Sequence, residues 1–128
     1  MQDEIKEVYY RDEDISEIIE KLRRFSFDDL VKTDHFYYSL DEKRTDVEML
    51  KENFRNFEKV KLINKRQHKN KEISYDFYYE LDFGYLVYAI TFGKTPILIN
   101  GYHAKRNFSK VKEAFLRDHE SDRTKAAQ

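Results

Sequence analysis

From residue 73 to residue 83, apolar and polar positions alternate almost without a break. Ile73, Tyr75, Phe77, Tyr79, Leu81 and Phe83 fall on one side, and Ser74, Asp76, Tyr78, Glu80 and Asp82 on the other. This is the period of a strand with one buried face, and it predicts that the acidic side is solvated. Residues 85–92 and 97–101 are apolar on both sides, which predicts more central strands. The last of these runs out through Tyr102, His103, Ala104, Lys105 and Arg106. Val60, Leu62 and Ile63 predict a first strand over 59–64, followed by a basic loop over 66–71. Tight turns are expected at 82–85, around Gly84, and at 93–96. Gly101, inside a strand, marks a bulge or a close approach of another element to the backbone.

Helical periods occupy the remainder. Ile15, Ile18, Ile19 and Leu22 form a stripe behind Asp14-x-x-Glu17, a capping-box pattern. Ser26-Phe27-Asp28-Asp29 predicts a cap for a short turn, and Thr33 or Asp34 caps a helix over 35–41 with Phe36, Tyr37 and Leu40 inward. Thr45-Asp46-Val47-Glu48 is a full capping box and opens a helix to about residue 57, carrying Val47, Leu50, Phe54 and Phe57. Asn107 or Ser109 caps a final helix with Val111, Ala114 and Phe115 on its inner side. Together these elements predict an α+β fold, with N-terminal helices packed on one face of a four-stranded antiparallel meander sheet and a C-terminal helix after it. Residues 1–13 read as a loose acidic leader, 14–120 as a single domain and 121–128 as a flexible tail.

Charge changes this picture more than composition does. The net charge of −1 conceals three segments of opposite sign. Residues 1–20 carry eight acids against two bases, residues 59–71 six bases and no acid, and residues 103–117 five bases against one acid. The basic segments read either as a patch for a polyanion or as a lysine-guarded sheet edge. The chain has no cysteine, so disulfides, thiolate metal sites and a cysteine nucleophile are excluded. No apolar run approaches the roughly 18 residues of a membrane span, and no signal-peptide pattern follows Met1. A cytoplasmic protein without a membrane partner is the expectation.

The four histidines, His35, His68, His103 and His119, stand in no ligand motif, so neither a metal nor a cofactor is expected. No nucleophile elbow and no glycine-rich phosphate loop is present. Metal-independent RNA cleavage remains, because the ribose 2′-OH serves as nucleophile and the protein need supply only a base, an acid and cations. The candidate residues are His35, Arg44 and His103 for chemistry, and Tyr102, Lys105 and Arg106 for RNA binding. Each also has a structural reading, as a strand-end histidine or a solvated turn. Two further classes stay open: a binding module without chemistry, and an interaction protein or homo-oligomer using Tyr9, Tyr10 and Tyr78 as exposed aromatics.

Phe27-Asp28-Asp29-Leu30-Val31-x-x-Asp34-His35-Phe36, followed by Lys43-Arg44-x-x-Val47-x-x-Leu50, resembles the start of small prokaryotic domains related to RelE-like toxins, the BrnT and MqsR groups among them. Those domains show a histidine, an arginine four residues later and a second arginine five after that, then a helix, a strand meander and a basic helical tail. His35 and Arg44 match by position, and Ser39 stands where the intermediate arginine would be. The resemblance spans about residues 26–116. It implies a RelE-like fold, mRNA cleavage and a cognate antitoxin as partner.

Overall fold

The computed structural model describes residues 4–127, with side chains described through Asp118. The elements run β1 (Glu4–Tyr9), α1 (Asp12–Arg23), β2 (Val31–Lys32), α2 (Asp34–Glu42), α3 (Val47–Asn53), β3 (Val60–Gln67), β4 (Ile73–Glu80), β5 (Tyr85–Thr91), β6 (Ile97–Ala104) and α4 (Phe108–Ala127), with 3₁₀ turns at Phe27–Asp29 and Phe57–Lys59. The fold is α+β. Its sheet has six strands in the order β1-β3-β4-β5-β6-β2, antiparallel except where β2 runs parallel to β6. The expected meander β3–β6 forms the centre, and two strands that the sequence did not announce complete the edges.

β1 corrects the expectation of a loose leader. Glu4–Tyr9 pairs antiparallel with β3, placing an acidic strand beside a basic one, with Glu7 4.0 Å from Lys65. β3 is therefore an interior strand, not a lysine-guarded edge, and it continues through Gln67 into the segment expected as a loop. Val8 is buried and Ile5 and Tyr9 partly so, which gives β1 apolar area to hold it in place. α1 starts at Asp12 with Arg11 as its uncapped N-cap, so Asp14 lies within the helix. α4 is continuous through residues 121–127 of the expected tail, while Gln128 lies outside the described residues.

Both faces of the sheet are buried. On one, Phe77, Tyr79, Leu86, Tyr88 and Ile90 pack with Ile15, Ile19 and Leu22 of α1, Phe36 of α2, and Leu50 and Phe54 of α3. On the other, Leu62, Tyr78, Tyr85 and Val87 pack with Val8 of β1 and with Phe108, Val111, Phe115 and Leu116 of α4. The helices thus cover two faces, not one. Tyr78, expected among the exposed aromatics, is buried against Phe108 and Phe115, and Tyr9 and Tyr10 are half-buried. Asp76, expected on a solvated side, is 5% exposed. Phe83, assigned to the buried side by alternation, is 87% exposed because β4 ends at Glu80 and the turn rotates it outward.

Two tyrosine hydroxyls fix α3 to the sheet. Tyr88 donates to the Leu50 carbonyl and Tyr79 to the Phe54 carbonyl, each at 2.6 Å. The last turn of a helix leaves its carbonyls without backbone partners, and these two are satisfied from below by the sheet. Asp46, not Thr45, caps this helix, accepting from the Glu48 amide. The other caps fall as the pattern predicts: the Ser26/Asp29 box, Thr33 on the Phe36 amide, and Asn107 on the Lys110 amide.

Gly101 sets how near α2 lies to β6. A Cβ built there would stand 2.8 Å from a Phe36 ring carbon and 3.3 Å from a Leu50 methyl. Gly101→Ala is expected to destabilise the fold by about 1–3 kcal/mol through overpacking. Gly93→Ala, where a Cβ meets nothing within 4 Å, should stay within about 0.5 kcal/mol of the parent. Tyr88→Phe, which leaves the Leu50 carbonyl buried and unpartnered, is expected to cost about 1–3 kcal/mol. Equilibrium denaturant unfolding measures all three.

Candidate functional site

Two concavities adjoin along β6. The first, about 470 Å³, is lined by Lys43, Arg44, Tyr102, His103, Lys105 and Arg106, with Tyr85 and Ala104 behind them. Five of the six residues singled out from sequence are therefore gathered in one place. His35 is not among them. It lines the second concavity, about 250 Å³, whose wall also includes Tyr102. The separation follows from helix geometry, since His35 and Arg44 stand at opposite ends of α2 and a helix rises about 1.5 Å per residue.

The end of α2 delivers two cations to the first concavity. The Arg44 amide donates to the Asp41 carbonyl and the Thr45 amide to the Leu40 carbonyl, the paired bonds of a Schellman motif. The residue between them must adopt the left-handed conformation, and Arg44 does so, with φ 51°. Glycine is the usual occupant, because a side chain there costs about 1 kcal/mol. The side chain kept at this price stands among the cations of the concavity. Preceding it, the Lys43 ammonium lies 3.8 Å from the Tyr102 ring centroid, a cation–π contact. Following it, Thr45 Oγ1 accepts from the His103 amide at 3.1 Å, tying the turn to β6.

The opposite wall is the exit of β6. Gly84, at φ 81°, lies so close to this strand that an added Cβ would overlap the Ala104 carbonyl oxygen. His103 Nε2 is 3.4 Å from the Phe83 carbonyl. In the tautomer that donates from Nε2, Nδ1 is left as an acceptor. Among the described residues, none of Lys43, Arg44, Lys105 and Arg106 has a carboxylate within ion-pair distance. Four cations, an imidazole and two phenols thus share a concavity without a countercharge. An anion with several oxygens is the complement of that set.

Burial, with the neighbouring Tyr85 and Asp76, pushes the Tyr102 hydroxyl up to about 12 from its ordinary 10.0, against the pull of Arg66 and Arg106. At neutral pH the group is a phenol able to donate, not a phenolate that would repel an anion.

Apart from His35 and Tyr102, the second concavity is built from residues that sequence reasoning missed. Arg66 donates to Asp76 Oδ2 from Nε at 3.0 Å and from a terminal nitrogen at 2.8 Å. His68 Nε2 is 2.8 Å from Ser74 Oγ. β3 and β4 pair Arg66 with Ser74 and Asn64 with Asp76, so these polar side chains share the face that α4 only partly covers. The apolar positions of β5 on that face, Tyr85 and Val87, were the signal that it is buried. Among the described residues no group of three or more His, Asp and Glu side chains is placed to hold a metal ion, and no helix is long and apolar enough to cross a membrane.

No family model, curated protein or solved structure matches this chain.

Two outcomes test the geometry. Arg44→Gly should leave stability within about 1 kcal/mol of the parent, because relief of the left-handed cost offsets the added chain entropy. The same change should weaken anion binding, read with inorganic pyrophosphate by calorimetry. For Tyr102 the folded chain keeps its proton above pH 10, where the unfolded chain releases it. Stability should therefore fall as pH rises from about 10 to about 12, and Tyr102→Phe should remove that share of the fall.

Proposed function

We propose that this protein binds RNA through backbone phosphates held by Lys43, Arg44, Lys105 and Arg106. The observation that supports this most is the strained Arg44: a residue is kept in a glycine conformation where its guanidinium joins three other cations free of carboxylates. Strain of this kind at a helix end favours a functional role over a structural one, since a glycine would close the motif at lower cost. Tyr102 adds aromatic surface beside the cations, the combination by which single strands are held.

A second reading is favoured by His103. Its imidazole sits within the same cation set, where a phosphodiester would lie, and Nδ1 can take the proton of a ribose 2′-OH as its oxygen attacks phosphorus; the cations stabilise the phosphorane, the P–O5′ bond breaks and the leaving 5′-oxygen takes a proton from water. This is the metal-independent endoribonuclease of a RelE-like toxin, and its antitoxin would supply the carboxylates that the concavity lacks. His35 would have no part in that step from its place across Tyr102, and Ser39, at the position of the family's intermediate arginine, is buried. Catalysis would then rest on a single imidazole with Arg44.

Binding is tested by fluorescence anisotropy with a short single-stranded RNA over a salt series. Four phosphate contacts give log K against log salt a slope of about −3, and Lys105→Ala with Arg106→Ala should roughly halve it. An unchanged slope in the double variant overturns the reading. Cleavage is tested in EDTA on the same RNA. Products with cyclic phosphate ends that vanish in His103→Ala support the second reading, and intact RNA removes it while leaving the first in place.

A further inference from the structure

We infer that the second concavity is a pocket for one unpaired nucleobase, entered from the phosphate site across the shared wall of Tyr102. The inference deepens the RNA-binding reading and rests on it only for where the base comes from.

Size is the first argument. A cavity of about 150 Å³ accepts benzene. The second concavity, at about 250 Å³, is large enough for a bicyclic heterocycle and too small for a stacked pair.

Shape and polarity are the second. Its floor is apolar, made by Val87, Ala89 and Ile99, and one wall is the Tyr102 ring. Asn100 supplies an amide, the side chain that offers a donor and an acceptor side by side and so matches the edge of a base. Its Oδ1 is buried and accepts no hydrogen bond. Such an orphan is costly, and a turn of the amide that brings this oxygen to the cavity would let it accept an amino or imino N–H of a base.

The backbone supplies the third argument. In β6 the pairing steps from Asn100 opposite Ala89 to Leu98 opposite Ile90, leaving Ile99 as the extra residue of a bulge. Regular alternation would send Ile99 and Asn100 to opposite faces. The bulge lets both line one cavity, an apolar surface and an amide edge from consecutive residues.

Charge separates this pocket from its neighbour. The Arg66 guanidinium is bonded to Asp76, whose side chain is 8% exposed, so the pocket's cation is matched by a carboxylate. An anion would meet that carboxylate, whereas a neutral polar heterocycle meets no repulsion. The two concavities thus divide a nucleotide between them: phosphate on the Arg44 side of Tyr102, base on the Asn100 side. RNA is read in this way where bases are splayed out of the stack and hydrogen-bonded at their edges.

The experiment uses free adenosine, cytidine and uridine, which carry no phosphate, titrated into isotope-labelled full-length protein and followed by NMR. At least one nucleoside should shift the Asn100 side-chain amide and the Ala89 methyl. Asn100→Ala should weaken that binding about tenfold, and Ala89→Leu, which fills the floor, should abolish it. With RNA, Ala89→Leu should keep the salt slope of the parent and lose any preference among homopolymers. If no nucleoside moves those resonances at saturation, or if Ala89→Leu binds as the parent does, the pocket assignment is overturned even when RNA binds. If a nucleoside binds as stated but the salt slope ignores Lys105 and Arg106, the phosphate site fails and the base pocket stands.

Discussion

The closeness of α2 to β6 is the constraint on which the rest of the molecule turns. With no side chain at Gly101, the Phe36 ring lies directly on the strand, and Leu50 of α3 closes in beside it. The N-terminal end of α2 is tied to the same strand, with the Thr33 hydroxyl donating to the Ile99 carbonyl. Because α2 is held at that distance, its C-terminal turn emerges level with the exit of β6. Arg44 and His103 thereby become neighbours although 58 residues separate Thr45 from the amide it receives. A packing requirement deep in the core thus decides the spacing of charged groups at the surface.

Tyr102 stands between two environments that differ in charge. Both concavities adjoin β6: at its exit it meets the unmatched cations that follow α2 and β6, and the neutralised Arg66–Asp76 pair of β3 and β4 stands on the other side. The tyrosine belongs to both because it lies on the face shared with Val87, two residues before β6 ends at Ala104. As a phenol it is neutral at physiological pH, so it can serve as a wall for an anion on one side and a ring on the other.

Local signals carried much of this in the sequence. Alternation placed Phe77 and Tyr79 on the helix-covered face, and helix caps at Ser26, Thr33 and Asn107 were recognisable from their own neighbours. Gly101 was legible as a close approach, because glycine inside a strand has few other uses. What could not be read depends on partners distant in the chain. The acidic residues of β1 signify solvation until β3 supplies Lys65 beside them. The polar side of β4 looks solvated until register brings Arg66 over to Asp76 and α4 lays Phe115 on Tyr78. Left-handed geometry at Arg44 has no signature at all, since the residue type argues against it.

The position of α4 has a consequence for how the chain is made. Tyr78, Tyr85 and Val87 acquire their cover only from Phe108 onward, after all six strands have been synthesised. Until α4 docks, the sheet presents an uncovered aromatic face. During that interval one core can close around α1, α2 and α3 while the other waits. A chain with α4 undocked holds a half-covered sheet, and that intermediate, not the finished protein, is the species with reason to engage a chaperone.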